Sequence, residues 1–378
     1  MAKRPIKNRI LRAAVLAGGL ATYVLLACQG KKVAGPCDGG YTDSDSVWHV
    51  DTLAVAKHVT VNGIWGVTPC DVYAVGSVTD SSGPQGVIWH YNGSSWSVVH
   101  TTPNAEFHDV YKVSSASVWV VGVSSPESYP GGSLIAHGNG TQWDEHFSDP
   151  PARGLLAVWA PDDQNVYAVG QRGTILSFAH GSWRREDNPS LEGLNPPDIY
   201  DVWGRPASDS GYEVYAAGAG GTYGGVLMRR FPVGTGARWG EVFSSLVFVP
   251  SYENHFAGVW VDSQETIWVL ETYQDRIMYD FVLYRFQHNN WTLLDLPAGS
   301  GSYYGALRGD TSGVIYLLGC RGVFRFEGSN WSSTYPEPVA FTLNDVWPSG
   351  TELFVCGNSD SCGVVLRTDR FTSVSGQP

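Results

Sequence analysis

Tyr129, Tyr223, Tyr273, Arg172, Arg276, Arg321, His108 and His255 are the residues of this 378-residue chain whose type and placement allow ligand chemistry. Tyrosine faces stack on pyranose C–H groups and a guanidinium fork grips a carboxylate, so aromatics and Arg around one opening suit a sugar or an acidic glycan. The short links Gly170-Gln171-Arg172-Gly173 and Gly319-Cys320-Arg321-Gly322 each lift one Arg, and longer links carry the three tyrosines and Arg276. Asp109, Asp201 and Asp345 hold one recurring position, which reads as a turn or cap; a glycan-cleaving enzyme would need two carboxylates within about 5 to 9.5 Å. The sequence has no His-x-x-x-His, Cys-x-x-Cys or calcium-loop spacing, no phosphate loop and no Ser-His-Asp signature. No metal, cofactor or catalytic residue is therefore expected.

What must position these residues is a repeat. Trp65, Tyr111, Trp159, Trp203, Trp260 and Trp347 end apolar segments that recur on average every 47 residues, with Leu307 as the exception in the series. Each is followed by a four-residue apolar run and usually a Gly, as in VYAVG ending at Gly76 and Gly170, with Glu271 replacing the Gly once. A run of that kind fits a strand buried on both faces. Asn92-Gly93 and Asn139-Gly140 then mark hairpins, and a Trp opens the next strand. Four strands per unit cannot bury both faces alone, but units arranged radially bury each face against the next. The expected fold is therefore all-β: a seven-bladed β-propeller of four-stranded antiparallel blades over residues 46–378. Ser46-Val47-Trp48 has the pattern of a fourth strand displaced to the N-terminus, and is expected to close the ring by pairing with the last blade. Phe371 to Val374 competes for that place.

Composition agrees with this reading. The chain has 45 Gly, 15 Trp and only 16% charged residues, against about 25% in typical domains, which argues against disorder, coiled coils and helical bundles. Twelve of the 15 Trp fall in two recurring strand positions, so they read as packing between blades rather than a sugar-binding box.

The units resemble the DVWAVG…GTILHYDG..W repeats of lipoproteins and secreted proteins of myxobacteria and their relatives. They are also similar to Asp-box propellers, including the sialidase-like and photosystem-assembly groups. Asn92 to Trp96 and Asn139 to Trp143 keep only the tail of the Asp-box signature, and the early Phe/Tyr-Arg-Ile-Pro segment of sialidases is missing. The resemblance covers about residues 46 to 378 and implies the fold rather than an activity.

Residues 1–27 have the layout of a secretory signal: Lys3, Arg4, Lys7, Arg9 and Arg12 precede the apolar stretch Ala13 to Ala27. Leu25-Leu26-Ala27-Cys28 resembles the bacterial lipobox, which implies acylation of Cys28 and membrane attachment through acyl chains. A plain signal peptide or an uncleaved anchor are the other readings of the segment. Gln29 rather than Asp after the Cys favours outer-membrane sorting, and residues 28–45 read as a flexible tether. Without residues 1–27 the chain has 19 Lys and Arg against 36 Asp and Glu, a net −17 that repels nucleic acid. In an oxidising compartment Cys356 could pair with Cys362 and Cys37 with Cys70, leaving Cys320.

These observations together lead to the expectation of a monomeric, lipid-anchored cell-envelope propeller that binds or scaffolds an envelope protein or glycan without catalysis. Carbohydrate binding is the first alternative and glycan degradation the second.

Overall fold

A computed structural model of the chain describes residues 48–56, 58–125, 131–147, 153–186, 196–207, 211–220, 224–233, 236–245, 254–274, 279–296, 304–319, 322–334, 341–359 and 361–368. Tyr129, Tyr223, Arg276, Arg321, Cys28, Cys37 and the segment Phe371 to Val374 lie outside them.

Apart from one 3-10 turn at Gln171–Gly173, the described elements are strands. β1 (Trp48–Val55) comes first. Next come a sheet of β2 (His58–Thr68), β3 (Asp71–Asp80), β4 (Gly83–Tyr91) and β5 (Trp96–Pro103), and one of β6 (Ala105–Ser114), β7 (Ser117–Ser124), β8 (Gly132–Gly138) and β9 (Trp143–Phe147). A third sheet has β10 (Leu155–Asp162), β11 (Asn165–Gly170), β12 (Thr174–Ala179) and β13 (Ser182–Arg185). β14 (Ile199–Pro206), β15 (Tyr212–Ala219), β16 (Gly225–Val233), β17 (Gly236–Ser244), β18 (Asn254–Val261), β19 (Ile267–Gln274), β20 (Tyr279–Gln287) and β21 (Asn290–Leu294) form a single eight-stranded sheet. β22 (Tyr304–Gly309), β23 (Ile315–Gly319), β24 (Gly322–Glu327) and β25 (Asn330–Ser333) make another sheet of four. The last comprises β26 (Thr342–Pro348), β27 (Leu353–Ser359), β28 (Cys362–Thr368) and, returning from the N-terminus, β1.

The strand pairing corrects the expectation of seven separate blades: five four-stranded blades stand alone, and the other eight strands are hydrogen-bonded into one sheet. The physical reason is local. β15 runs on to Ala219, whose backbone pairs with His255 at the start of β18, so the sheet continues across what the repeat reads as a boundary.

The first strands of the units pack side by side around an axis, β2 against β6, β6 against β10, and onward through β14, β18, β22 and β26 back to β2. The second strands behind them carry the apolar runs and are buried, as in Val72, Ala74 and Val75 or Val166, Ala168 and Val169. At the hairpins Asn92 Oδ1 accepts the backbone N–H of Ser94 and Ser95, both at 3.0 Å, which fixes the tight turn the Asn-Gly pair requires.

The N-terminal strand completes the last sheet. β1 runs antiparallel to β28, from Trp48 opposite Thr368 to Val55 opposite Cys362. Asp51 Oδ2 accepts Arg367 Nε at 3.0 Å within the sheet and Trp96 Nε1 at 3.2 Å from β5, while Trp48 Nε1 donates to Thr334 O at 2.7 Å. One strand is thereby tied to the sheets on both sides.

The expected ring between Cys356 and Cys362 is corrected as well. Cys356 is a free, buried thiol, whereas Cys362 and Cys70 are each disulfide-bonded. In the hairpin Cys362 stands opposite Ser359 and Cys356 opposite Val365. Three residues of strand, about 10 Å, therefore separate the two Cys positions, beyond the roughly 7 Å limit on a disulfide's Cα spacing.

Gly76 lies within β3, where a Cβ would fall 2.0 Å from Thr60 O of the paired first strand, so only glycine allows this pairing. Gly76→Ala is expected to lower unfolding free energy by at least about 2 kcal/mol in urea titration, as overpacking does. Gly181→Ala, at a positive-φ turn with open space around it, should cost about 1 kcal/mol. Equal effects would contradict the steric reading.

Candidate functional site

In nearly every first strand the register slips at one place: between Val61 and Gly63, Phe107 and Asp109, Leu155 and Ala157, Ile199 and Asp201, Phe256 and Gly258, and Leu343 and Asp345. In β22 the slip spans Tyr304 to Leu307. A bulge leaves one residue outside the ladder and re-aims its side chain. The extra residues, Asn62, His108, Leu156, Tyr200, Ala257 and Asn344, together with Gly305, line a cavity of about 170 Å3 on the axis.

The residue after each bulge comes next, and Asp109, Ala157, Asp201, Ala306 and Asp345 among these form the floor of the cavity. This residue is Asp in β6, β14 and β26, and Gly or Ala in β2, β10, β18 and β22. Each Asp clamps two strands. Asp109 accepts Val110 N–H of its own strand (2.8 Å) and Val158 N–H of β10 (2.9 Å); Asp201 accepts Val202 N–H (3.0 Å) and Val259 N–H of β18 (2.9 Å). Asp345 accepts Val346 N–H and, at 3.1 Å, Ile64 N–H of β2. The clamps join β6 to β10, β14 to β18 and β26 to β2, and the small residues on the receiving strands leave them room. At Gly63 a Cβ would fall 2.9 Å from the Asp109 backbone.

β22 has no clamp partner, and it carries the charge that balances the others. Arg308 Nη1 donates to Asp201 Oδ2 at 3.1 Å, and Arg308 Nε lies 3.5 Å from Asp345 Oδ1. Burial opposes the guanidinium's charge, but Asp201, Asp345 and Asp109 outweigh it and hold its pKa up. Burial pushes all three carboxyls up, Asp109 to about 7, against the pull of Arg308.

Two residues further along each strand, on the same side, comes the aromatic position. Trp65 stacks on Tyr111 at 5.0 Å and packs on Trp203 at 5.3 Å, and Trp203 stacks on Trp260 at 4.1 Å, so rings fill the axis beyond the carboxylates. Register corrects the assignment of Leu307 to this series. Arg308 stands opposite Tyr316 as Trp65 stands opposite Tyr73, so the aromatic position of β22 is occupied by Arg308.

Among the sequence candidates, His108 lines the cavity, and Asp109, Tyr200, Asp201 and Asp345 line it with it. His255 stands just behind, its ring 4.3 Å from that of Tyr200 and its Nε2 2.9 Å from Thr272 Oγ1; burial drives its pKa down to about 4. Arg172 is not at the cavity. It sits in the Gln171–Gly173 turn with φ +55°, its backbone N–H donating to Asp198 Oδ1 at 2.9 Å. Tyr273 is placed by its backbone in β19, opposite Asn254. Sequence reasoning missed Asn62, Asn344 and Arg308. The signal for the two asparagines was their place directly before the Asp or Gly position, shared with His108 and Tyr200.

A second cavity, about 300 Å3, lies between β11–β13 and β15–β16, with Tyr167, Phe178, Tyr212, Arg184 and Arg230 in its wall. Its better-buried cation is already held, since Glu186 accepts Arg230 Nε and Nη2, both at 3.0 Å, and Trp239 Nε1 at 2.7 Å.

The raised carboxyls set a pH dependence. A carboxyl that binds its proton more tightly in the folded chain contributes stability that is complete below the ordinary carboxylate range and is lost as pH rises through its folded value, about 7 for Asp109. Melting temperature is therefore expected to fall between pH 4 and about 7. Asp109→Asn has one acceptor oxygen for two N–H groups, so it should start about 1 to 3 kcal/mol less stable and show a shallower fall. An unchanged slope would refute the assignment to Asp109.

No protein-family model and no curated relative matches the chain. Similarity lies in solved structures. A catalytically inactive virginiamycin B lyase from Staphylococcus aureus with quinupristin aligns at TM-score 0.61 and 12% identity, over 86% of this chain and 100% of that one. YCF48 bound to D1 peptide aligns at 0.58 and 15%, over 87% and 99%, and the WD40 β-propeller domain of Doa1 at 0.52 and 12%, over 84% and 96%. At such identities the likeness is one of fold, and the chain is a repeat-built β-propeller with four-stranded antiparallel blades.

Proposed function

We propose that this chain is an exported, lipid-anchored binding module of the bacterial envelope whose ligand enters the channel mouth between Asn62, His108, Tyr200 and Asn344. The observation that carries the reading is the division of labour along the axis. Asp109, Asp201 and Asp345 each hold two backbone N–H groups, and Arg308 is paired with the carboxylates. A glycan-cleaving pair needs one acid free to protonate a leaving group and one carboxylate free to attack or to activate water. These acids do structural work instead, and the bulged residues above them are left to meet a ligand.

The fold neighbours are of mixed function, one a lyase and another bound to a peptide, so they support the fold alone. The anchor follows from the lipobox-like segment ending at Cys28. Cys28→Ser should move the protein from the membrane to the soluble fraction of the cells; unchanged membrane retention would refute acylation at this site.

Binding without turnover is tested by saturation-transfer NMR of the full chain against envelope glycans and small polar compounds, with His108→Ala and Asn344→Ala in parallel. At least one compound should bind saturably, weaken about tenfold or more in both variants, about 1.4 kcal/mol, and remain chemically unchanged. Product signals would make the site catalytic, and no saturable binder would remove the proposal.

A further inference from the structure

The walls of the channel-mouth cavity are built of hydrogen-bond acceptors. Asn62 Nδ2 donates to Phe107 O at 2.8 Å and Glu106 Oε1 at 2.9 Å. Asn344 Nδ2 donates to Val61 O at 2.9 Å and Asn358 Oδ1 at 2.6 Å. A backbone carbonyl can only accept, so these contacts fix both amides with the NH2 turned to the protein, and each Oδ1 receives no donor among the described residues. His108 Nδ1 donates to Leu155 O at 3.0 Å, and burial lowers the ring's pKa and so favours the neutral form, whose Nε2 is an acceptor. On the floor Asp345, only 5% exposed, is turned to the backbone amides of Ile64 and Val346 and to Arg308.

Charge points the same way. Three carboxylates face one guanidinium around this cavity, in a chain whose net charge is already −12. An anionic ligand would meet these carboxylates, and the Arg308 guanidinium is already shared between Asp201 and Asp345. A bare metal ion would need several ligand atoms converging at about 2 to 2.6 Å, and among the described residues no group of three His, Cys, Asp or Glu side chains is so placed. Each Asp is turned to backbone amides instead.

We propose that the channel mouth binds a primary ammonium group, with Asn62, Asn344 and His108 as its acceptors. An ammonium has three donors and no acceptor, the complement of this wall. A cavity of about 170 Å3 holds several water volumes of about 30 Å3 each, room for the ammonium and the first carbons of its stem. The group could be carried by a lysine side chain of an envelope protein or by an amino sugar; the acceptor chemistry is the same. This assignment rests on the binding reading above and specifies its ligand.

Tryptophan fluorescence of the full chain reads the site, because Trp65 and Trp203 lie in the layer beneath it. n-Butylammonium chloride is expected to change the emission saturably, at least about tenfold more tightly than n-butanol, sodium butyrate or methyl glucoside. Leu156→Lys, which places a tethered ammonium at the cavity wall without touching a clamp, should abolish the response while its melting temperature stays within a few degrees of the parent. N-acetyl-lysine amide and glucosamine then separate the two sources by which binds more tightly. Butylammonium binding no better than butanol, or undiminished in Leu156→Lys, overturns the ammonium assignment. If methyl glucoside or butyrate instead binds saturably and is lost in that variant, the ammonium assignment falls while the binding reading stands.

Discussion

The architecture depends on a carboxylate that bridges two backbones. Around the axis the first strands of neighbouring units face each other edge to edge without a ladder, and each bulge releases an N–H that would otherwise be buried without a partner. Asp109, Asp201 and Asp345 solve this for pairs of strands at once, taking one N–H from their own strand and one from the next. The neighbour is small at the same position, where Ala157, Gly258 and Gly63 stand. β22 falls outside the pairing, and its Arg308 balances part of the charge that the three clamps bring together. A ring closed this way exchanges unsatisfied amides for buried charge, and the exchange is favourable only because the guanidinium sits among the acids.

The repeat itself was legible because packing enforces it. Apolar second strands, Asn-Gly hairpins and the ring of aromatic positions can be read directly from VYAVG and its relatives, from Asn92-Gly93 and from Trp65 through Trp347. The N-terminal strand was also readable, because Trp48 repeats the pattern of Trp96 and β1 pairs with β28. Three things were not readable. A single bridge between Ala219 and His255 merges two units into one sheet, and no side-chain pattern encodes a lone backbone pair. In β22 the irregularity spans two residues, so counting along the sequence placed Leu307 in the aromatic series and hid Arg308. Cys356 and Cys362 look like a natural ring by spacing alone; only strand register shows that they sit three residues out of step.

The same physics explains why the candidate site was only half visible. Tyrosines and arginines are conspicuous in the links between strands, but Arg172 is a turn residue held by Asp198. The residues that meet at the axis come instead from within strands, at the bulge. His108 and Tyr200 attracted notice for their types, whereas Asn62 and Asn344 did not, because an asparagine beside a glycine or aspartate reads as a turn. Their amides are in fact anchored to Phe107 O and Val61 O, so their orientation is set by the scaffold.

Along the axis the three layers differ in what constrains them. The carboxylate layer is constrained by backbone amides, and the aromatic layer by the packing of Trp65, Tyr111, Trp203 and Trp260 on one another. The bulged layer has neither constraint: its residue is outside the ladder and above the packed rings. Accordingly the first two layers repeat with few types, while the third reads Asn62, His108, Leu156, Tyr200, Ala257, Gly305 and Asn344, with almost no repetition. A position outside the ladder that opens on a polar cavity is where side-chain identity can vary most from unit to unit. Specificity in this architecture is therefore expected to reside in the layer that the repeat does not explain.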